Sequence, residues 1–284
     1  MNKILSHNEK KTTPMNLEIN VIDAFSDQVF RGNPAAVIIT DYWLGKRLMQ
    51  NIASENNLSE TAFLVKKDDH SYAIRWFSPL TEIDFCGHAT LASAFVLFAK
   101  LPALNSLKFT AKAVGELLIK KLVSGKIQMD FPNTKPIYTD NIPESLLAAL
   151  SIEPKEVYQN AQAYFAIYSS EEEVINIKTD NSLLKTLYPR DLVATSLSKN
   201  DEFDFLSRYF WPANGGDEDP VTGSIHTGLA PFWSERLEKA KLIGYQASKR
   251  GGVLECEVKD DRVLISGNAV QYMTGTISIL VNDN

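Results

Sequence analysis

The chain predicts an α+β protein built as two related halves, each a group of strands with one buried helix at its centre. Three observations lead there. The first is Ile83–Phe98, IDFCGHATLASAFVLF, where a short apolar strand runs through Cys86-Gly87-His88 into a helix expected over Gly87–Lys100. Its polar side chains before Lys100 are His88, Thr90 and Ser93, all in the first two turns, while Leu91, Phe95 and Phe98 fall at i, i+4, i+7. A helix apolar on every face is a membrane span or the centre of a fold, and this one is shorter than the ~20 residues a bilayer needs. The second observation is a repeat of that design in Asp219–Trp233, which again runs from a polar, Gly-containing turn into an apolar helix. Cys86-Gly87-His88-Ala89 then aligns with Thr222-Gly223-Ser224-Ile225. The third is the remaining pattern of short alternating strands and few helices, which suits α+β halves better than regular βαβ units. Two buried helix starts offer unpaired N–H groups and positive partial charge, a seat for a carboxylate or phosphate in a shared cleft.

Taken in order, Leu17–Ala24 alternates as a strand, and the turn Phe30-Arg31-Gly32-Asn33-Pro34 precedes a second strand at Ala35–Thr40. Leu44, Leu48, Ile52 and Ala53 predict a helix within Trp43–Asn56. Strands follow at Ala62–Lys66 and Tyr72–Phe77, then the central helix, then a meander at Leu107–Thr110, Gly115–Lys121 and Lys126–Phe131. Pro132–Pro143, with three prolines among polar residues, is the expected linker. Beyond it the reading gives a helix at Glu144–Leu150, a strand at Gln162–Tyr168 and a helix at Ser182–Leu187. Strands at Asp191–Leu197 and Glu202–Phe210 lead to a long polar loop from Trp211 to Asp219 and the second apolar helix, ending near Lys239. Pro231 inside that helix removes one backbone hydrogen bond, so a kink or a bridging water is expected. Strands near 253–258, 262–266 and 269–281 close the chain.

The 284 residues have room for one large domain or two ordinary ones, and 44% apolar and 23% charged content is that of a soluble globular protein. A net charge of −6 argues against a nucleic-acid partner, which needs clustered Lys and Arg. No apolar run is long enough to span a membrane. Two cysteines without CxxC or zinc spacing point to reduced thiols and a cytoplasmic protein. Residues 1–14 are polar, lack a signal-peptide core, and are expected to form a flexible extension ahead of Met15.

Glu60 sits among Leu58, Ala62, Phe63 and Leu64, and burial there would tune it towards proton abstraction at neutral pH. Taken alone it reads more readily as a surface carboxylate at a strand edge. His88, at a helix N-terminus where the dipole favours the neutral ring, is suited to polarise a carbonyl, or simply to bond nearby backbone. Cys86 at the same terminus is either an activated thiolate or a buried inert thiol. Asp217-Glu218-Asp219 lacks calcium-loop spacing and any His or Cys companion, so no metal is expected, and Asp219, Thr222 or Ser224 should cap the second helix instead. P-loop, GxSxG and HExxH motifs are absent. Cys256, in Val253–Val258, has no partner in view.

These residues fall in longer motifs: Val21-Ile22-Asp23-Ala24-Phe25 with Phe30–Val37, Asn57–Phe63, Arg75-Trp76-Phe77-Ser78-Pro79, Asp84–Thr90, Asp217–Ser224 and Arg250-Gly251-Gly252. Through them the chain strongly resembles the phenazine-biosynthesis isomerase (PhzF-like) family over residues 16–281. The resemblance implies a diaminopimelate-epimerase-like fold of two pseudo-symmetric domains, each a curved, mostly antiparallel sheet wrapped round a central helix. The first would hold residues 15–134 and 268–284, the second 135–267, with the last strand returning to the first. It implies an isomerase without cofactor or metal, related to one that moves a proton on a dihydro-hydroxyanthranilate, and a homodimer. Carried over by motif, Glu60 is the general acid/base. His88 and Asp219 orient the substrate, and Ser224 touches it. The amides around Gly87-His88 and Gly223-Ser224 hold its carboxylate, and Ser59 is a neighbouring contact.

One departure bears on the reaction. Epimerase relatives invert stereochemistry with two thiols, one at each central helix, whereas Thr222 stands here opposite Cys86. The expectation is one-base proton transfer through Glu60 on a small carboxylate-bearing, cyclic or amino-substituted metabolite. The alternatives are an amino-acid racemase using Cys86, or a non-catalytic binding or interaction protein on the same fold.

Overall fold

A computed structural model describes residues 12–68 and 70–282. The first run of elements is β1 (Thr12–Ala24), β2 (Asn33–Thr40), α1 (Lys46–Asn56), β3 (Glu60–Asp68), β4 (Ser71–Phe77), β5 (Glu82–Ile83) and α2 (Gly87–Lys100). It continues through β6 (Ser106–Ala111), β7 (Gly115–Lys121), β8 (Ile127–Pro132) and β9 (Ile137–Tyr138). The second run is α3 (Glu144–Ala148), β10 (Glu156–Gln159), β11 (Ala163–Ile167), α4 (Glu171–Asn176), α5 (Asn181–Leu184), β12 (Asp191–Leu197), β13 (Phe205–Phe210), β14 (Glu218–Asp219) and α6 (His226–Leu237). It ends with β15 (Lys241–Gln246), β16 (Gly252–Lys259), β17 (Arg262–Gly267) and β18 (Ala269–Asn282). The architecture is a sheet-dominated α+β fold, as the sequence predicts.

The pairing repeats strand for strand. β1 pairs antiparallel with β2, β2 parallel with β3, β3 antiparallel with β4 and β4 parallel with β6. The same senses recur in β10/β11, β11/β12, β12/β13 and β13/β15. β8 and β17, the last meander strand of each half, pair antiparallel with one another and join the halves. The strand after each then crosses over, β9 onto β10 and β18 onto β1. Register makes the equivalence residue-specific. Thr61 lies opposite Phe77 and Phe77 opposite Glu82, just as Leu192 lies opposite Phe210 and Phe210 opposite Glu218. Glu60 therefore matches Asp191, Arg75 matches Arg208 and Glu82 matches Glu218.

The matched ion pairs have the same bidentate form. Arg75 Nε and Nη2 reach Glu82 at 2.7 and 2.9 Å, and Arg208 reaches Glu218 at 2.7 and 2.9 Å. Arg208 also donates to the carbonyls of Ile175 and Ile177 at 3.0 and 2.9 Å, and so caps the end of α4. Glu82 keeps a second cation in Lys46. Replacing Arg208 by Met is therefore expected to cost about 2 kcal/mol and Arg75→Met about 1 kcal/mol, since only the former strands carbonyls as well as a half-buried carboxylate. Urea titration of the two variants checks the order.

Burial follows the apolar pattern. In α2 every residue from Gly87 to Phe98 except Phe95 is buried, and in α6 every residue from His226 to Trp233. Close approach in the second half needs Gly228, where a Cβ would come within 2.7 Å of the Phe165 ring. Some expectations change. Thr12–Pro14 do not belong to an extension but pair with Leu280–Asn282 in a β1/β18 ribbon; residues 1–11 lie outside the described residues. The proline-rich stretch after β8 is tied down by β9 and by the Thr134 amide bonding Thr227 O at 3.1 Å. The strand read from Glu202 starts at Phe205. β10 and α4 escaped the reading because each is short, and α4 was legible only in its Ser170/Glu173 capping box; β15 was missed because Gly244 interrupts its pattern.

Candidate active site

Asn57, in the left-handed conformation (φ 48°) that asparagine tolerates, ends α1 and turns the chain so that Glu60 opens β3. His88 is the second residue of α2, Asp219 the last of β14, and Gly223 and Ser224 lie in the turn entering α6. These elements converge because the two helix starts meet. A Cβ on Gly87 would lie 3.5 Å from Gly223 Cα and 3.7 Å from Ser224 N. Neither helix has a side-chain cap, contrary to the expectation for α6; the amides of His226, Thr227 and Gly228 donate instead to the backbone carbonyls of Gly223, Ser224 and Ile225 at 3.2, 3.1 and 3.0 Å.

A cavity of about 140 Å³ lies at this junction. From the first half it is lined by Glu60, Ile83, Phe85, Cys86, Gly87 and His88. From the second come Gln162, Asp191, Tyr209, Trp211, Asp219 and Thr222–Ser224. Larger hollows of about 620 and 840 Å³ lie elsewhere, the second sharing only Ile83 with this one, but Glu60, His88, Asp191 and Asp219 gather in the smaller one. Of the residues named from sequence, Glu60, Cys86, Gly87, His88, Asp219, Gly223 and Ser224 all line it; Ser59 is half-buried beside Glu60 and outside the lining.

Glu60 Oε2 stands 2.9 Å from His88 Nε2, an ion-pair distance without hydrogen-bond alignment, and this buried oxygen has no hydrogen-bond donor. His88 Nδ1 is 3.1 Å from Asn33 Nδ2 and 3.4 Å from Cys86 Sγ. Burial opposes a charge on the ring, but Cys86 and Glu60 outweigh it and hold His88 well above its ordinary value. The sequence expectation of a dipole-lowered, neutral imidazole is thereby reversed: the carboxylate at contact distance outweighs the helix end. Burial, reinforced by Glu60, pushes the Cys86 thiol up to about 11, against the pull of His88. Glu60, Cys86 and His88 offer ligand atoms within 4.8 Å of one another, a set zinc would accept, although a metal would have to displace both the thiol proton and the Glu60–His88 pair.

Asp219 is fully engaged. Asn33 Nδ2 donates to its Oδ1 at 2.7 Å, and the Thr222 hydroxyl donates to its Oδ2. Burial, with Glu60 adding, pushes its carboxyl up to about 6. Gln246 supports the turn by accepting from Thr222 N at 2.9 Å and donating to Asp219 O at 2.8 Å. On the far wall Tyr209 donates to Asp191 Oδ2 at 2.6 Å and Asn214 to Oδ1 at 2.9 Å, while Gln162 Nε2 donates to Tyr209 and Ser224 hydroxyls at 3.1 and 2.9 Å. Asn33, Gln162, Asp191, Tyr209 and Gln246 were not named from sequence. Asp191 was out of reach of the sequence repeat, because extending it back from the two helix starts sets Ser196 against Glu60, and only the strand register brings Asp191 into that place.

A family model described as phenazine biosynthesis-like protein matches residues 22–275. An uncharacterized isomerase of Pseudomonas aeruginosa is 44% identical over 265 residues, covering 93% of this chain and 100% of the relative. The crystal structure of a PhzF-family phenazine biosynthesis protein from Enterococcus faecalis superposes with a TM-score of 0.86 at 44% identity, over 93% of this chain and 99% of that one. A hydroxyproline epimerase from Agrobacterium vitis shares the fold alone, with a TM-score of 0.55 at 8% identity over 94% and 92% of the two chains. With two helix starts meeting over a buried carboxylate and these relatives along nearly its whole length, the chain belongs to the PhzF family of isomerases.

Proposed function

We propose that this isomerase moves a proton on a small carboxylate-bearing, cyclic or amino-substituted metabolite, with Glu60 as its one base. The observation that carries this reading is the distribution of hydrogen bonds. Of three buried or nearly buried carboxylates around the cavity, both oxygens of Asp191 and of Asp219 accept donors, while Glu60 keeps one oxygen with none. Glu60 takes a proton from an sp³ carbon whose electron pair delocalises into an adjoining π system, and the new carboxylic acid returns that proton to a second carbon on the same face. His88 and Asp219 orient the substrate. The Gly87-His88 and Gly223-Ser224 amides and the Ser224 hydroxyl hold its carboxylate, and the helix ends stabilise charge developing in the transition state. Each step falls to a side chain or amide of this chain. The repeated pairing supports division into two units, 15–134 with 268–284 and 135–267, with the site between them; homodimer assembly and a cytoplasmic setting complete the reading.

The test is deuterium incorporation from heavy water into a panel of unsaturated cyclic carboxylates and amino acids. Label entering at one carbon, lost in Glu60→Gln and kept in Cys86→Ala, is the expected result. Loss in Cys86→Ala alone would establish racemisation through the thiol, and absence of label in every compound would point to a binding protein.

A further inference from the structure

The internal repeat places a second carboxylate, Asp191, where Glu60 sits in the first half, and both reach the same cavity. Their surroundings differ in a way that assigns them different work. Glu60 keeps one oxygen that faces His88 without a hydrogen-bond donor, whereas Asp191 accepts from Tyr209 and Asn214 and has no oxygen left without a donor. An ionised carboxylate can only accept. The Tyr209 proton is therefore committed to Asp191, 2.6 Å away, and burial together with Asp191 holds that phenol well above its ordinary value. Tyr209 oxygen must then accept, which requires Gln162 to present its NH₂ end, and the same NH₂ group donates to Ser224 Oγ at 2.9 Å. With its oxygen already accepting, Ser224 has its own proton free to give.

We propose that Asp191, Tyr209 and Gln162 form a positioning relay whose polarity leaves the Ser224 proton for the ligand, so that the site favours a carboxylate, every oxygen of which accepts, over an isosteric amide. The inference rests on the seat for the substrate carboxylate proposed above and deepens it, since it says which chain of groups sets the choice. Asp191 acts through Tyr209 and Gln162 and touches no reacting atom. Its counterpart Glu60 performs the chemistry, so the two matched carboxylates have divided their tasks.

The test is equilibrium binding of benzoate and benzamide, measured calorimetrically on the full chain. Benzoate has no carbon proton to exchange, so the outcome is independent of proton transfer by Glu60. Wild type should prefer benzoate, and Asp191→Asn or Gln162→Met should lower that preference by about 10- to 100-fold, the range of one charge-assisted hydrogen bond. In the Gln162→Met background, adding Asp191→Asn should change the preference no further, because the relay is already cut. A purely structural role predicts equal weakening for acid and amide. That result overturns the proposal, as would a wild type indifferent to the two ligands, an unchanged preference in both single variants, or additive effects in the double variant. A deuterium-exchange result, by contrast, bears on Glu60 and leaves this relay untouched.

Discussion

Glu60→Gln is expected to lower turnover by about 10²–10⁴-fold, the range lost when a positioned general base is removed. The substitution keeps the size of the side chain and a carbonyl oxygen to face His88, so the fold should survive it. What disappears is the one buried carboxylate oxygen at the cavity that no donor occupies. A second signature accompanies the loss. His88 stands well above its ordinary value because Cys86 and Glu60 outweigh its burial. Without the Glu60 charge the imidazole should titrate lower than in the wild type, which NMR of His88 would read directly. Turnover within tenfold of wild type would remove Glu60 from the mechanism.

Asp219→Asn should separate stability from activity. Burial raises this carboxyl from its ordinary 3.8 to about 6. An acid whose folded value is raised favours the folded state at low pH and loses that contribution as pH climbs through its folded value. The window here runs from about pH 4 to about pH 6, and at pH 7 the buried charge opposes folding by ~3 kcal/mol. An asparagine can still accept from Asn33 and face Thr222, so it should stabilise the protein by about 1–3 kcal/mol at pH 7 and by little at pH 4. Denaturant melts at the two pH values check the sign. Activity should fall about 10- to 100-fold, the loss expected of one hydrogen bond to a charged group. A charge kept at such a cost fits a functional position; equal stability at both pH values would refute the account.

How far the site was legible depended on what each residue's role required. Glu60 and His88 drew notice because each interrupts or opens an apolar run, and such interruptions survive in one dimension, but it was the resemblance in motif that gave them and Ser224 their roles. Asn33 did not, although it reaches both His88 and Asp219. In sequence it is one polar residue in a Gly-Asn-Pro turn, and a turn explains an asparagine well enough. Tyr209 likewise read as one more aromatic in an aromatic strand, since nothing local reveals that its hydroxyl meets Asp191.

The amino-acid order by itself determined the α+β class, the two largely apolar helices and the repeat that relates them, because burial patterns and turn chemistry are written within a few residues of one another. Only the tertiary structure decided which ionisable groups neutralise each other and in which direction each hydrogen bond points. His88 shows why. The helix end it occupies predicts a neutral ring, and a carboxylate arriving from another strand, 2.9 Å away, reverses that. Proton affinity depends on charges and solvent within a few ångströms, and at this cavity those neighbours come from both halves of the chain.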